Sequence, residues 1–422
     1  MADSLSELNI SNTLNILDTD SGILENFAES KAMKSYRFKL FNNKRKSRRL
    51  ENELRVFCQI YNHSIRLTKT YYKIYGKSLN KNKLQKHLLK LSKTEYPQWE
   101  ALGYSQGIQE VTDRIYKSYA AFFKWVKKRQ GAKKSPPKFR AFRKYKSFTL
   151  KQAGWELDES NGKVRIGPNW YRYNKSRNIQ GVPKTLNIKR DKVGDWFIVI
   201  SCDVSKDYIP EKVIPMTGKS AGFDFGLKSF LTSSDNIQYE SNEFLKQHLK
   251  DLKVINREFS RKKKGSKNRR KTGKRLSRLH RKIANKRIDS HYQMSVKILK
   301  EYDNVFFEDL TLEGMKKLWG RKVSDYGFSS FLKILESKSK EHGKVFYKID
   351  RFFPSSKLCS NNICGALKSK DELSLADRVY KCKCCGLEID RDLNAAINIR
   401  NAGASALRLD GVSRVERPAS VA

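Results

Sequence analysis

The sequence predicts a multidomain α/β protein, in which a small β-barrel interrupted by a helical unit precedes an α/β domain that carries an inserted cysteine-rich segment. Three observations predict this architecture. Short alternating strand patterns flank a helical stretch in the first half of the chain, three acidic residues recur in matching settings in the second half, and five of the seven cysteines cluster near the C-terminus. A length of 422 residues is enough for roughly two to four structural units.

The charge of the chain indicates the class of partner. There are 88 Lys and Arg residues against 44 Asp and Glu residues, a formal net charge of +44. Such an excess would repel itself unless a polyanion neutralised it, and interleaved aromatic residues favour nucleic acid over a merely soluble basic chain. No run approaches the roughly 20 apolar residues that span a bilayer, and no basic-then-apolar signal opens the chain. We therefore expect a cytosolic protein without membrane contact.

The first elements follow from composition and periodicity. The stretch from Met1 to Ser30 holds six acidic residues and no basic ones, and it predicts a poorly ordered acidic leader over residues 1–34. SYRFKLF then alternates like a strand, and helical spacing begins at Leu50. A second strong helix is predicted from Gln106 to Lys128, with its apolar residues on a core-facing side.

A basic segment follows this helical unit. In KKSPPKFRAFRKYKSFTL, Pro136 and Pro137 exclude a continuing helix, and basic residues alternate with aromatic ones. Such a segment can track a sugar-phosphate backbone, with Lys138, Arg140 and Arg143 as candidate contacts. The alternative is a solvated charged strand with a buried aromatic face. The strand signals WELDE, KVRIG, WYRY, TLNIK and DWFIVISCDV come next and, with SYRFKLF, predict one small barrel.

The most basic part of the chain lies between Arg257 and Arg287, where sixteen residues are Lys or Arg. The spacing of Leu276, Leu279 and Ile283 is helical, so we predict two helices joined near Gly265 to Gly273. A charge run is usually a solvated face, but this density favours contact with nucleic acid. The candidate contacts are Lys262, Lys263, Lys264, Arg269, Arg270, Lys271 and Arg278.

Three carboxylates carry the predicted chemistry. Asp224 in GFDFGLKSF lies on a strand, Glu308 in VFFEDL closes the strand from Asn304, and Asp392 in DRDLNAAINI lies on the first turn of a helix. Brought together, they would suit two Mg²⁺ ions, with Mn²⁺ as a substitute, because these ions prefer hard oxygen ligands. Two such ions activate a water and neutralise the leaving oxygen in phosphodiester hydrolysis. The pattern therefore indicates a nuclease.

Two neighbouring acids receive other roles. Asp309 follows Glu308 directly and should point to the opposite face of the strand, as a helix cap or a salt-bridge partner. Asp390 and Asp392 are separated by about 200° of helical rotation. Asp392 shares its face with the small and apolar residues that must pack on the sheet, so we predict that Asp392 points inward and that Asp390 is the N-cap.

The cysteine spacing is that of a zinc ribbon. Four residues lie within the first pair, two within the second and 17 between the pairs. The predicted ligands are Cys359, Cys364, Cys382 and Cys385. Gly386 suits the tight turn after the second pair, and Cys384 is an extra thiol that could replace Cys382 or Cys385. Four protein ligands leave no position for water, so the predicted Zn²⁺ is structural; the alternative is a degenerate ribbon.

These motifs resemble a known family. FDFGLK, FFEDL, the ribbon with KCKCCG, and DRDLNAAINIRNAG, in that order, resemble the RuvC-like nuclease half of TnpB proteins, which bacterial insertion sequences encode and which are related to compact type V CRISPR effectors. The resemblance is strong from residue 219 to about residue 403. From residue 36 to 204 only the layout is similar.

The resemblance implies a domain plan. It implies a wedge barrel over residues 35–52 and 133–217, interrupted by a helical recognition domain over residues 53–132. An RNase H-like RuvC nuclease domain would follow over residues 218–354, with a basic helical insertion over 250–300. A zinc ribbon over 355–388, the last nuclease helix over 389–403 and a tail over 404–422 would complete the chain.

The resemblance also implies an activity, that of an RNA-guided DNA endonuclease of the bacterial cytosol. Asp224, Glu308 and Asp392 would be its catalytic acids, and a guide RNA and a double-stranded DNA target beside a short flanking motif would be its partners, with one protein monomer per RNA. The alternatives are an RNA-guided DNA-binding regulator that does not cleave and a guide-free RuvC-like nuclease. No His-hydrophobe-His motif with a Tyr nucleophile indicates a transposase, and we expect His280 and His291 at the surface or facing RNA.

Overall fold

The computed structural model describes residues 33–100, 105–128, 133–204, 214–240, 242–310, 320, 322–369, 372–373 and 377–409. The predicted acidic leader lies outside the described residues except for its last two, and so does most of the predicted tail. The chain divides into two compact units, Met1–Tyr208 and Ile209–Ala422, here called unit 1 and unit 2. Within the described part of the chain, no helix is both long and apolar enough to cross a membrane.

Unit 1 contains a seven-stranded antiparallel sheet in the order β2-β6-β7-β1-β5-β4-β3. The strands are β1 (Met33–Phe41), β2 (Ser147–Leu150), β3 (Trp155–Asp158), β4 (Lys163–Ile166), β5 (Asn169–Tyr173), β6 (Val182–Arg190) and β7 (Trp196–Asp203). Most of β1 pairs with β7, and its last two residues pair with β5, so β1 joins two halves of a barrel-like, nearly closed sheet. The predicted barrel strands are present. The sequence missed β2, because four residues with two buried side chains give too short a pattern.

In the part of the chain that the structure describes, four α-helices lie between β1 and β2. They are α1 (Lys44–Tyr75), α2 (Lys81–Thr94), α3 (Pro97–Glu100) and α4 (Ser105–Lys128). Helix α1 begins at Lys44 rather than at the predicted Leu50, because the Asn43 side chain accepts a hydrogen bond from the Lys46 N–H and caps the helix.

The prediction of α4 is confirmed, but its apolar face is only partly core. Ile108, Val111 and Ile115 are buried, whereas Val126 is exposed. The apolar pattern in the sequence continues to the end of α4, but the residues that pack against its first half do not extend that far.

Unit 2 is built on a five-stranded sheet in the order β10-β9-β8-β11-β12. The strands are β8 (Ser220–Phe225), β9 (Leu231–Ser233), β10 (Gln238–Tyr239), β11 (Asn304–Glu308) and β12 (Val345–Ile349). Strand β11 runs parallel to both β8 and β12, and β8, β9 and β10 are antiparallel. A short connection that begins at Gly226 joins β8 to β9.

Among the described residues of unit 2, five helices have both ends defined, and residues 320 and 322–326 are also helical. The five helices are α5 (Phe244–Gln247), α6 (Leu249–Arg261), α7 (Lys267–Glu301), α8 (Phe328–Glu341) and α9 (Arg391–Ala406). The two helices predicted in the basic region are α6 and α7, and their junction lies at residues 262–266. Gly273 is inside α7, where a Cβ would lie 3.1 Å from the Phe259 ring, so this glycine permits the two helices to pack closely.

Different helices pack on the two faces of the unit 2 sheet. On one face Phe223 stacks on Phe307, with ring centroids 5.0 Å apart, among apolar residues of α7 and α8. Helix α9 lies on the other face so closely that a Cβ on Gly222 would be 2.2 Å from the Ala396 carbonyl oxygen. Because side chains alternate along a strand, the face that carries Gly222 also carries Asp224.

His291 is a correction to the sequence prediction. This residue is 3% exposed, its Nε2 lies 2.9 Å from the Tyr326 carbonyl oxygen, and its ring stacks on Phe230. Burial lowers the pKa of His291 to about 4, so the imidazole is neutral at physiological pH. It is a core residue on the packed side of α7. His280 is exposed, as expected.

Candidate active site and metal centre

The pairing of β8 with β11 brings two of the predicted acids together. Phe223 pairs with Phe307 in parallel register, and the next residues along the two strands are Asp224 and Glu308. Both side chains therefore leave the sheet on the same face, at the carboxyl ends of neighbouring strands. Each of the two residues keeps part of its surface exposed to the solvent.

The third acid comes from the helix across this face. Asp390 is the N-cap of α9, and its side chain accepts hydrogen bonds from the N–H groups of Asp392 and Leu393 at 2.8 and 3.1 Å. The predicted N-cap is thus confirmed. Asp392 occupies the first turn, and its Oδ2 lies 3.6 Å from the position of a Cβ on Gly226, directly after β8. The sheet and the helix therefore bring all three acids to one edge.

The electrostatics show how close the three carboxylates are. Burial, followed by the charges of Glu308 and Asp392, raises the pKa of Asp224 well above its usual value. Burial also raises the pKa of Glu308 and that of Asp392, the latter with a further contribution from Asp390. A cation at this edge would relieve the repulsion, and carboxylate oxygens are the ligands that Mg²⁺ prefers.

The sequence analysis did not identify the side chain that hydrogen-bonds to Glu308. Ser355, which is 3% exposed, donates a hydrogen bond from its hydroxyl to the Glu308 carboxylate. Asn398 of α9 in turn donates from Nδ2 to the Ser355 carbonyl oxygen at 2.8 Å. The segment PSSK stood beside the cysteines in the sequence, but nothing in its spacing indicates that it reaches back to β11.

Asp309 lies outside this group, as predicted. Its carboxylate is 2.7 Å from Nη2 of Arg351 and 3.6 Å from Nζ of Lys348. These cations hold the pKa of Asp309 below its usual value, with the Arg351 hydrogen bond as the main cause. Its predicted role as a salt-bridge partner is therefore confirmed. Residues 311–319, to which a helix cap at this position would belong, lie outside the described residues.

The four cysteines predicted from the spacing form a compact cluster. The Sγ atoms of Cys359, Cys364, Cys382 and Cys385 all lie within 4.8 Å of one another and could hold a metal ion. Within the described ranges of the chain, no other group of three or more His, Cys, Asp or Glu side chains meets this criterion. The three carboxylates are neighbours at one edge of the sheet, but they do not form so tight a cluster.

The local backbone explains the thiol geometry. Cys359 and Cys385 have Sγ atoms 3.7 Å apart, and those of Cys364 and Cys382 are 3.6 Å apart. Gly386 has a φ of 73°, which lets its N–H bond to the Cys382 carbonyl at 3.0 Å in a tight turn. Hydrogen bonds from the backbone of this turn, led by that of Cys385, lower the pKa of Cys382 to about 6.

Cys384, the extra thiol, is exposed and is not a member of the cluster.

Buried asparagines fasten this ribbon to α9. Asn394 donates from Nδ2 to the Leu358 carbonyl at 2.8 Å, and its Oδ1 accepts from the Ser360 N–H at 3.0 Å. Asn398 donates to the same Leu358 carbonyl at 2.7 Å. Because α9 also carries Asp392, the ribbon and the third acid share one rigid support. The sequence shows these asparagines, but it does not show their partners.

The basic hairpin formed by α6 and α7 uses some of its cations internally. Lys262 lies 2.7 Å from Thr272 Oγ1 and also contacts Glu258, and Arg269 donates to the carbonyl oxygens of Phe259 and Lys262. These two side chains close the turn between the helices, which the charge pattern alone could not indicate. The other residues predicted to contact nucleic acid on this hairpin have exposed side chains. They are Lys263, Lys264, Arg270, Lys271 and Arg278.

The basic segment of unit 1 is fixed by its backbone and exposes its charges. The Lys138 carbonyl accepts from Tyr61 OH at 3.1 Å, and Asn62 makes two hydrogen bonds of 2.9 Å to the Arg140 backbone. Lys138, Arg140 and Arg143 have exposed side chains. Tyr145 and Phe148, farther along the same segment, are buried anchors.

Two family models match the second half of the chain. A model described as "Probable transposase" matches residues 200–318. A second, described as "Cas12f1-like, TNB domain", matches residues 328–399, which include the ribbon and most of α9.

Curated relatives cover most of the chain. A "Putative RNA-guided DNA endonuclease" of Streptomyces pristinaespiralis is 30% identical over 343 residues, 78% of this chain and 80% of that protein. The "Putative RNA-guided DNA endonuclease InsQ" of Escherichia coli is 24% identical over 412 residues, 92% of this chain and 96% of that protein. A "TnpB-like protein" of Acanthamoeba polyphaga mimivirus is 25% identical over 285 residues, 61% of this chain and 52% of that protein.

The chain combines three acids at one edge of a mixed sheet with a four-thiol ribbon that is fastened to the helix behind them. These features define a class of nuclease-like proteins associated with transposable elements. Within that class, the identity of 30% over more than two thirds of the chain decides the family. The chain belongs to the TnpB family.

Proposed function

We propose that this protein is an RNA-guided DNA endonuclease encoded by a transposable element, which cuts DNA beside a short flanking motif by metal-ion-dependent hydrolysis. The observation that carries the proposal is the meeting of Asp224, Glu308 and Asp392 at one edge of the unit 2 sheet in a member of the TnpB family. The names of its relatives supply the substrate class.

The carboxylate edge suits two Mg²⁺ or Mn²⁺ ions. Each of its three acids keeps part of its surface exposed. Burial, followed by the charges of Glu308 and Asp392, raises the pKa of Asp224, and a resident cation would relieve this repulsion. Bound there, two divalent ions would activate a water and neutralise the leaving oxygen. Ser355 orients Glu308, and the backbone N–H groups of Asp392 and Leu393 fix the capping Asp390.

The strand order supports an RNase H-like RuvC domain. Three antiparallel strands, followed by two parallel ones added beside the first strand, give the order β10-β9-β8-β11-β12, with acids on the first and fourth strands in chain order. Unit 1 supplies a barrel-like sheet with an inserted helical region, which suits a wedge and a recognition domain.

The cysteine cluster suits a structural Zn²⁺. In a tetrahedron with Zn–S bonds of about 2.3 Å, neighbouring sulfur atoms are about 3.8 Å apart. The two closest Sγ pairs lie at 3.7 and 3.6 Å. Four thiol ligands would leave no open position on the ion, so the ribbon would support α9 and take no part in hydrolysis.

The partners proposed are a guide RNA and a double-stranded DNA target, bound by one protein monomer in the bacterial cytosol. Exposed basic side chains on the α6–α7 hairpin and on residues 138–143 provide contacts for phosphate. Base pairing with the guide would supply most of the sequence specificity. The rival functions are an RNA-guided regulator that binds DNA without cutting it and a guide-free nuclease. Three intact acids favour cleavage over the regulator.

The test is cleavage of a plasmid by the purified protein with the RNA that copurifies with it. We expect Mg²⁺-dependent cutting that Asp224→Asn, Glu308→Gln and Asp392→Asn each reduce by at least about 100-fold, the scale of losing one catalytic charge. RNA and DNA binding should persist, because these variants keep the side-chain volume.

Asp309→Asn and Asp390→Asn are the matched controls, since each alters an acid one or two residues from a proposed ligand. Both should still cut, although Asp390→Asn changes the N-cap. Full binding without cutting by the wild type would favour the regulator, and cutting that survives complete removal of RNA would favour the guide-free nuclease.

A further inference from the structure

Phe352 presents an aromatic ring to the solvent beside the carboxylate edge. Its side chain is 88% exposed, the most exposed aromatic ring among the large hydrophobic residues of the described chain. Single exposed apolar residues are common on protein surfaces, so exposure alone assigns no role. The position of this one is unusual, because it lies in the turn three residues after the end of β12, and β12 pairs with the strand that ends at Glu308.

The turn that carries Phe352 is fixed on both sides to the site. Before the ring, Arg351 donates from Nη2 to Asp309 Oδ2 at 2.7 Å and from Nε to the Asp309 carbonyl at 3.0 Å. After it, Ser355 donates to the Glu308 carboxylate. The backbone between them is also held, since the Phe352 N–H donates to Asp350 Oδ1 at 2.8 Å.

Distance along the chain limits how far the ring is from the acids. Ser355 is the third residue after Phe352, and three fully extended Cα–Cα steps span at most roughly 10 Å. Because Ser355 bonds to Glu308, nucleic acid bound at the carboxylates passes close to the turn that carries the ring. A ring on a fixed turn also loses little conformational freedom when a base stacks on it.

We infer that Phe352 stacks on an unpaired base of the DNA strand to be cut and thereby sets which phosphate reaches the three carboxylates. This inference rests on the proposed endonuclease function. It makes Phe352 a positioning residue, since the ring does not touch the reacting phosphate. Stacking accepts any base, so the contact would suit an enzyme that takes its sequence specificity from a guide.

The first test compares Phe352→Ala with Phe352→Tyr and with Tyr292→Ala in the complex with guide RNA. Tyr292 is another exposed ring of unit 2, but it lines a cavity with α8 residues, and α8 packs on the sheet face opposite the acids. We expect Phe352→Ala to raise KM for single-stranded DNA by about 5- to 100-fold, the range for one stacked base, and to spread the cut over neighbouring positions. Phe352→Tyr and Tyr292→Ala should keep the wild-type KM and cut position.

The second test does not depend on cleavage. In the Asp224→Asn background, 2-aminopurine is placed at successive positions of a single-stranded DNA oligonucleotide, and its fluorescence is measured with the protein in excess. We expect quenching at one position near the cut, and we expect Phe352→Ala to abolish it while Phe352→Tyr retains it.

The two tests separate this inference from the proposed function. Unchanged KM, cut position and quenching in Phe352→Ala would overturn the role of the ring and leave the endonuclease intact. A wild-type protein that never cuts but shows quenching dependent on Phe352 would overturn the endonuclease and keep the base contact.

Discussion

At the scale of single residues, neighbouring acids in this chain have opposite environments. Burial, followed by the charges of Glu308 and Asp392, raises the pKa of Asp224, and burial raises the pKa of Glu308. Asp309, adjacent to Glu308, is paired with Arg351 and Lys348, which lower its pKa. Because side chains alternate along β11, Glu308 and Asp309 lie in different environments. The end of this strand therefore carries one carboxylate with a raised pKa and one with a lowered pKa.

Asp224→Asn should make the metal-free protein more stable. The folded pKa of Asp224 is above its unfolded value, so the ionised carboxylate opposes folding once the pH exceeds the usual Asp range. In EDTA at neutral pH we expect thermal unfolding to show a gain of about 0.5–2 kcal/mol, the range of stabilising substitutions. The gain should shrink as the pH falls through the folded pKa and vanish below the unfolded one.

Asp309→Asn is the control for this experiment. The pKa of Asp309 is depressed, so its ion pairs add stability above the unfolded pKa, and that stability is lost as the pH falls through the folded pKa. We expect a small loss at neutral pH, about 0–1 kcal/mol for an exposed ion pair. An equal gain of stability in both variants would contradict the assignment of Asp224 to a repulsive cluster.

At the scale of elements, α9 has two functions: it carries one of the three acids, and it holds the cysteine ribbon. Its first turn carries Asp392, and its buried asparagines hold the loop that opens the cysteine ribbon. Its small residues let it lie against β8 and β11, since a Cβ on Gly403 would overlap the Phe306 ring at 2.3 Å. A substitution that destabilises the ribbon should therefore also disturb the candidate active site, because α9 joins the two.

The prediction for the ribbon compares two cysteines that are close in space, of which one belongs to the thiol cluster and the other does not. We expect about one zinc per chain by elemental analysis, reduced by Cys364→Ser and retained by Cys384→Ser, because only Cys364 belongs to the thiol cluster. Cys364→Ser should also lower the thermal stability of unit 2 and the rate of cleavage together. Equal zinc loss in the two variants would mean that the ligand set is wrong.

At the scale of the whole molecule, the net charge of +44 is the dominant feature. Much of the nucleic-acid affinity should come from release of counterions, which makes binding steeply dependent on salt. The α6–α7 hairpin concentrates this charge, but the structure divides its cations into two groups. Lys262 and Arg269 close the turn, and the exposed side chains face the solvent.

The two groups should respond differently to substitution by Gln. Replacing Lys263, Lys264, Lys271 and Arg278 together should weaken RNA binding and flatten the plot of log K against log[salt] by up to about 3, at 0.7 to 0.9 per lost phosphate contact. Stability should hardly change. Filter-binding titrations at several salt concentrations measure both the affinity and the slope.

The matched double variant is Lys262→Gln with Arg269→Gln. It should lower thermal stability, because it removes hydrogen bonds that close the turn, and it should change the salt slope less. If the four exposed substitutions left both affinity and slope unchanged, the hairpin would be a solvated face and RNA would have to bind elsewhere.

Much of this protein could be predicted from local sequence. Strand alternation, helical spacing and the cysteine intervals depend on neighbours within a few residues, so they predicted the barrel strands, α4, the α6–α7 hairpin and the thiol cluster. The N-cap role of Asp390 and the salt-bridge role of Asp309 followed from side-chain direction, which is also local.

Tertiary structure decided the features that depend on residues distant in the chain. The register of β8 against β11 places Asp224 beside Glu308, and the packing of α9 brings Asp392 to them across more than eighty residues. The same long-range packing buries His291, assigns Lys262 and Arg269 to a turn, and brings Ser355 to Glu308. A sequence specifies such contacts only through the free energy of the whole fold, so no local pattern reveals them.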